Sequence, residues 1–198
     1  MHIEQYIFAT MSGLLVVSSS CWCMWLIKTK VASPTLSTWL VWTSTSLIML
    51  ASQLCAGVFN VMVIAGAICT TVALGFVVCY GSQPWRRKDT YFVLAALLGI
   101  ALWTQASTDV ARIEIAFLTG LSGSLPTFLN EARRPGSERF SSWGISLLAT
   151  ICQMLAIPDV RLESWLQPCG SILVQSAMLL LIMRGQFAGK FTRLAFAT

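Results

Sequence analysis

The sequence predicts an all-α integral membrane protein with seven transmembrane helices, and three observations predict this class. Of 198 residues, 56% are hydrophobic and only 11% are charged, whereas soluble domains carry roughly 25% charged residues. Residues 31–85 contain no Asp, Glu, Lys or Arg, which is enough chain for two helices that each need about 20 apolar residues to cross a bilayer. Basic residues cluster between the apolar runs. A soluble protein of this length cannot bury so much apolar surface.

Charged residues divide the apolar sequence into seven predicted spans. The first span follows the leader MHIEQ, which has an acid and no Lys or Arg, so we expect a permanent helix rather than a signal peptide. A short turn around 53–60, containing Gly57, separates the second span from the third. In chain order, the predicted spans are 6–27, 37–54, 59–80, 91–108, 113–130, 140–158 and 164–183.

The basic residues set the predicted orientation. With seven spans, one side of the membrane carries two cations, Arg112 and Arg161, and the other side carries the remaining eleven of the 13. Because cytoplasmic loops are enriched in Lys and Arg, the N-terminus is predicted outside and the C-terminus in the cytoplasm. The chain is then a multi-pass protein of the cell membrane, with a bacterial inner membrane favoured. We expect the basic tail, 186–198, to contact anionic lipid at the cytoplasmic face, and we expect no nucleic-acid partner.

An internal repeat relates the two ends of the chain. Aligning Trp39 with Trp143 sets an offset of 104 residues, and the same offset pairs basic loops and small residues across three spans. The matched pairs are Ser18 with Ser122, Ser20 with Ser124, Lys30 with Arg134, Ser33 with Ser137, Ser37 with Ser141, Gly66 with Gly170, and Gly81 with Gly185. A three-helix unit ends on the side opposite its start, so a second copy in the same orientation needs one extra crossing. The prediction is a 3+1+3 parallel repeat: a first bundle at 1–83, a linker helix at 84–108, a second bundle at 109–185, and the tail.

A sequence pattern in the second half resembles the PQ-loop superfamily, which includes the SWEET sugar facilitators. The pattern is Leu125-Pro126-Thr127, then Pro135-x-Ser137-Glu138, then Ser141-x-Trp143. The resemblance implies two three-helix bundles around a central solute path that works by alternating access. The sequence departs from the family at Thr127, where the family name has Gln, and in the first copy, where Trp22-Cys23 replaces the hinge proline. Sugar specificity is therefore not carried over.

Three residues are candidates for a hinge or gate. Pro126 lies inside a span, where it removes a backbone donor and bends the helix, so it is interpreted as a hinge, with a static kink as the alternative. Trp39 and Trp143 begin their spans on the cytoplasmic side. We expect them to line or close the inner mouth of a solute path, the alternative being an ordinary interfacial tryptophan belt.

Polar side chains within the spans are candidates for the substrate path, because hydroxyls and amides in a membrane face protein or a wet cavity. Thr71 and Gln175 are the leading pair, since the offset of 104 places them at equivalent depth in the two copies. The alternative role for all of these residues is hydrogen bonding between helices. The further candidates are Trp42, Ser46, Asn60, Thr150 and Gln153.

Few residues suit proton coupling, catalysis or a metal. Asp109 is a possible coupling carboxylate, although its spacing from Arg112 favours a salt bridge at the membrane edge. The one histidine is His2, and the Cys-x-Cys at 21–23 lacks the spacing of common zinc sites. We predict no cofactor, no metal, no catalytic residues and no enzymatic activity.

The sequence therefore predicts a facilitator for a small polar solute such as a sugar, an amino acid or a vitamin precursor. A vitamin-precursor carrier of similar 3+1+3 plan needs a tryptophan-lined site, which eight tryptophans leave open. The alternative from another class is a non-transporting receptor or scaffold on the same fold. A continuous polar cavity at the depth of Thr71 and Gln175 would distinguish the two, and homo-oligomerisation is left open.

Overall fold

The computed structural model describes residues 3–32, 34–80, 85–133, 135, 138–158 and 161–195, and for residues 163 and 186–195 it describes the backbone alone. These residues form an all-helical fold, which confirms the predicted class of secondary structure. The seven helices of the described chain are α1 (Ile3–Lys28), α2 (Leu36–Cys55), α3 (Val61–Tyr80), α4 (Arg87–Gln105), α5 (Asp109–Arg133), α6 (Phe140–Ala156) and α7 (Leu162–Ala195). The tail expected at the membrane surface continues α7 as helix through Ala195.

Three of the described helices are long and apolar enough to cross a membrane. They are α1, α3 and the portion of α7 from Ser164 to Gly185, and α6 is a shorter apolar helix. The remaining helices are more polar, because α4 and α5 begin with charged residues and α2 carries a run of hydroxyls. Length and composition are consistent with an α-helical membrane protein.

Large apolar side chains cover the outside of the molecule. On α1, Ile3, Ile7 and Leu14 are each more than half exposed, and their spacing places them on one face of the helix. On α4, Tyr91 and Leu98 are 71% and 62% exposed. Soluble monomers rarely expose such extended apolar surface, so this exterior fits a hydrocarbon environment.

The packing of the first three helices is repeated by the last three. Helix α3 contacts both α1 and α2, and α7 contacts both α5 and α6. Two seams join the groups, one between α1 and α6 and the other between α2 and α5. When α1 is matched with α5 and α2 with α6, the α1–α6 seam corresponds to the α2–α5 seam. Helix α4 packs against α5 and α2 on the outside of this arrangement.

Glycines allow the closest helix approaches. A Cβ atom on Gly123 of α5 would lie 2.5 Å from Cγ1 of Val41 and 3.2 Å from Cδ1 of Trp42, both on α2. A Cβ on Gly99 of α4 would collide with the side chain of Thr119 on α5. Small residues let helices pack closely within a membrane. Between α2 and α3, Gly57 adopts φ +67° in the predicted turn, a left-handed conformation that glycine adopts without strain.

Candidate functional site

A cavity of about 580 Å³ lies between the two groups of three helices. Its lining comes from α1, α2, α3, α5, α6 and α7, and no described residue of α4 contributes. Along α2 the lining runs from Thr38 to Met49, a rise of roughly 16 Å at 1.5 Å per residue. The cavity therefore follows the helices for about half of a bilayer core, whose thickness is about 30 Å.

Three tryptophans line one end of the cavity, next to the loops that precede α2 and α6. The rings of Trp39 and Trp42 lie edge to face, with centroids 5.5 Å apart, and those of Trp42 and Trp143 lie 6.3 Å apart at 75°. Trp39 is 8% exposed and packs against Ile27 and Val77. We call these three rings the tryptophan cluster.

A carboxylate from the segment between α5 and α6 lines the same end. Glu138 accepts a hydrogen bond from Nε1 of Trp143 at 3.1 Å, and its backbone N–H donates to Oε2 of Glu131 at 2.8 Å. Glu131 itself is 1% exposed. The pKa of the Glu138 carboxyl is raised from 4.5 to about 7, chiefly because burial disfavours its charged form. The hydrogen bond from Trp143 lowers the pKa and the charge of Glu131 raises it, and both effects are smaller than that of burial.

Polar side chains line the cavity further along α6 and α7. The Thr150 hydroxyl, which is fully buried, donates to Oε1 of Gln175 at 3.0 Å. Towards the start of α7, Nε2 of Gln167 bonds Oγ of Ser171 at 3.1 Å. Oε1 of Gln167 is buried with no partner among the described residues. A buried amide oxygen without a partner carries a free-energy cost.

The two seams meet the cavity at equivalent positions. At the α1–α6 seam, Oγ of Ser19 lies 3.0 Å from Oγ of Ser146 and donates to the carbonyl of Ser142 at 3.1 Å. With the offset of 104 residues, Ser19 corresponds to Gly123 and Ser146 corresponds to Trp42. Gly123 and Trp42 meet at the α2–α5 seam. The ring of Trp42 also donates to Oγ of Ser124 at 3.3 Å.

Several residues predicted from the sequence line this cavity. The predicted path residues among them are Trp42, Ser46, Thr150 and Gln175, and the predicted hinge and gate residues are Trp39, Pro126 and Trp143. The cavity thus brings together seven candidates from α2, α5, α6 and α7.

The structure does not bring four other candidates into the cavity. Thr71 is exposed, and its hydroxyl donates to the carbonyl of Ala67 in its own helix at 2.8 Å. Asn60 is buried, and its Oδ1 accepts from the N–H of Val63 at 3.2 Å, so it caps the start of α3. Gln153 is 5% exposed and lies outside the cavity lining. Asp109 forms a partly exposed salt bridge with Arg112 at 3.3 Å, away from the cavity.

The position of Thr71 has a geometric cause. The offset of 104 aligns Gln175 with Thr71, but the α3 residues that line the cavity include Gly66 and Thr70. Each residue turns a helix by about 100°, so an alignment error of one residue moves a side chain from the cavity to the exterior. Thr70 takes the place expected for Thr71.

Sequence reasoning also missed Glu138 and Ser19 as cavity residues. Glu138 belongs to the proline–serine–tryptophan pattern of the second half, and it precedes the predicted start of the sixth span. Its position three residues before Ser141 in that pattern was the available signal. Ser19 lies among three consecutive serines in an apolar run, a polarity that points towards protein rather than lipid.

Comparison of the chain with protein-family models, curated proteins and solved structures found no match. Within the described part of the chain, no three His, Cys, Asp or Glu side chains are grouped as metal ligands. The lining is mainly apolar, and among its described residues the polar groups are hydroxyls, amides, indole N–H groups, one thiol, one carboxylate and one guanidinium.

Proposed function

We propose that the chain is a membrane transporter that moves a small polar solute, such as a sugar, an amino acid or a vitamin precursor, by facilitated diffusion. In this proposal all seven helices span the membrane, with the N-terminus outside and the C-terminus in the cytoplasm. The observation that carries the proposal is the cavity of about 580 Å³ between α1–α3 and α5–α7, whose mainly apolar lining includes hydroxyl, amide and indole groups. Its volume lies within the roughly 300–1,000 Å³ of small-molecule sites.

The 3+1+3 repeat of PQ-loop type is part of the same proposal. The exchange of seams between the two groups of helices supports it, as does the meeting of Ser19 with Ser146 at one seam and of Gly123 with Trp42 at the other. Helix α4, which lines none of the cavity, suits the role of a linker. Alternating access then consists of relative motion of the two groups about the cavity.

The inner mouth of the path is assigned to the tryptophan cluster. The loops beside it carry Lys28, Lys30, Arg133 and Arg139, and the positive-inside rule places such loops in the cytoplasm. Pro126 lines the cavity inside α5, where a missing backbone donor weakens the helix locally and permits bending.

A non-transporting receptor or scaffold on the same fold is the alternative. Such a protein has no need for polar groups in the interior at the depth of Thr70, Thr150 and Gln175, all of which line the cavity. Burying polar groups without function is costly in a membrane. The cavity therefore favours the transporter.

Solute uptake into proteoliposomes tests the proposal with a matched pair of variants on one helix. Gly66 lines the cavity and Gly75 is exposed outside it, and a Cβ atom at either position meets nothing within 4 Å. Screened over sugars, amino acids and nucleosides, the wild type is expected to transport at least one solute. Gly66→Leu fills the path and is expected to abolish that uptake, while Gly75→Leu retains it. A folded wild-type protein that moves no solute, or equal uptake by the two variants, would contradict a path through this cavity.

A further inference from the structure

The tryptophan-lined end of the cavity has one acidic and one basic residue among its described lining, and the two differ in exposure. Among the described lining residues, Glu138 is the one carboxylate and Arg139 the one cation. Arg139 is exposed, whereas Glu138 is partly buried beside Trp143. In the described chain, no Lys or Arg forms a salt bridge with Glu138. Among the described residues, the carboxylate at this end of the cavity therefore has an indole N–H donor and no salt-bridge partner.

The neighbouring rings complete the chemistry of a cation site. The faces of indole rings attract cations, and aromatic cages are a recurrent means of binding quaternary ammonium groups. Trp42 and Trp143 meet at 75° and both line the cavity, with Trp39 beside them. Two rings at nearly a right angle supply adjacent walls, and Glu138 supplies a negative charge at the same end.

We propose that this end of the cavity binds an organic cation, a solute with a quaternary or protonated amine whose charge lies between the tryptophan cluster and the Glu138 carboxylate. This inference rests on the proposed function, because it specifies the chemical class of the solute. The remaining, uncharged part of the solute then lies towards Thr150 and Gln175, whose polar groups line the same cavity.

Charge on Glu138 makes the binding depend on pH. Among the described residues, the titratable groups next to it are Glu131 from α5 and Cys23 from α1, and Arg139 lines the same cavity. Because its pKa lies near 7, Glu138 is mostly neutral at pH 6 and mostly ionised at pH 8. For a cation that binds the ionised form, affinity rises by about tenfold between these pH values. Binding near neutral pH also releases protons.

The probe for the test is choline. Its matched control is 3,3-dimethylbutan-1-ol, in which a carbon atom replaces the quaternary nitrogen of choline. Purified full-length protein in detergent is titrated with each compound, and binding is followed by calorimetry and by tryptophan fluorescence. The wild type is expected to bind choline at least tenfold more tightly than the neutral isostere, and more tightly at pH 8 than at pH 6. Equal binding of the two compounds, or no binding of choline, overturns the inference without any variant being made.

Two variants locate the site. Glu138→Gln keeps the shape of the side chain and removes its charge, so choline affinity is expected to fall at least tenfold and its pH dependence to disappear. Asp109→Asn removes a carboxylate that lies away from the cavity, and is expected to bind choline as the wild type does. Unchanged binding by Glu138→Gln, or equal losses in both variants, contradicts the assignment.

The choline-binding experiment and the uptake experiment test the two proposals independently. Uptake of a neutral sugar together with no choline binding rejects the organic cation and retains the transporter. Choline binding without uptake of any solute into proteoliposomes retains the site and rejects the transporter. Each result therefore identifies which of the two proposals is wrong.

Discussion

The indole of Trp143 donates a hydrogen bond of 3.1 Å to the carboxylate of Glu138, five residues earlier in the chain. This contact joins Glu138 to the first turn of α6 at one end of the cavity. Glu131 at the end of α5 holds the same residue, because its Oε2 accepts the backbone N–H of Glu138 at 2.8 Å. One acidic side chain thus anchors Glu138, whose own carboxylate lies at the end of the cavity lined by the tryptophan cluster.

Stability should fall as pH rises through the range in which Glu138 ionises. A carboxyl whose pKa is raised in the folded state holds its proton at pH values where the unfolded chain has lost it, so its stabilising contribution is present below about pH 4.5 and lost by about pH 7. At about 1.4 kcal/mol per pKa unit, the rise from 4.5 to about 7 corresponds to at most on the order of 3 kcal/mol. Thermal unfolding in detergent between pH 5 and pH 8 measures this loss. Glu138→Gln is expected to remove most of it, and a variant that keeps the wild-type pH profile would exclude Glu138 as its source.

Thr150→Val should destabilise the protein more than Thr71→Val does. The Thr150 hydroxyl is fully buried and lies 3.0 Å both from the carbonyl of Ser146 and from Oε1 of Gln175. The substitution removes this hydrogen bonding to a half-buried amide, at a cost of about 0.5–1.5 kcal/mol. The exposed Thr71 hydroxyl bonds only within its own helix, and its loss should cost under about 0.5 kcal/mol. Chemical or thermal unfolding of both variants compares these costs. Equal destabilisation would show that the Thr150–Gln175 bond makes no special contribution.

Gly123→Ala should weaken the seam between α2 and α5. The new methyl group would lie 2.5 Å from Cγ1 of Val41, and Val41 has little freedom to move because it is β-branched and 1% exposed. Overpacking of this kind costs about 1–3 kcal/mol. The control is Gly75→Ala, which meets nothing within 4 Å and should stabilise the helix by up to about 1 kcal/mol. Unfolding temperatures that change in the same direction for both variants would contradict a close approach at Gly123.

Pro126→Ala should slow transport while leaving solute binding intact. Alanine restores the backbone donor inside α5 and stiffens the helix, so a motion that bends α5 becomes less favourable. Rates of uptake are compared with equilibrium binding of the same solute. A static kink predicts that rate and binding are both unchanged, and that result would reject the hinge.

Helical segments were predictable from the sequence because charges and apolar runs alternate clearly along it. The turn at Gly57 separates α2 from α3 as expected. Which side chains of each helix face the cavity was predictable only in part. Gln175 lines the cavity, but the alignment that selected it also selected Thr71, because a repeat read from sequence does not fix helix rotation to within one residue.

Loop residues were harder to place than residues in spans. Glu138 precedes an apolar run and belongs to a loop by its position in the sequence, yet its carboxylate bonds the ring of Trp143 and lines the cavity. Such a contact depends on how the loop closes, which neither hydropathy nor spacing encodes. Among the described helices, length and hydropathy select α1, α3 and part of α7 as long apolar spans, whereas α6 is apolar but only 17 residues long. Helices α2 and α5 are less apolar, and both place polar groups towards the cavity.

The unequal seams bear on how the chain could have evolved. If a single three-helix unit had formed a symmetric dimer, its two seams would have joined the same pair of positions. Ser19 would then occupy the place where Gly123 now accommodates Val41 and Trp42. A serine Cβ there would collide with Val41, since even the first side-chain atom lies 2.5 Å from it. Two copies of the first three helices would therefore meet this collision at both seams, whereas the full chain has Gly123 at one seam and the Ser19–Ser146 contact at the other.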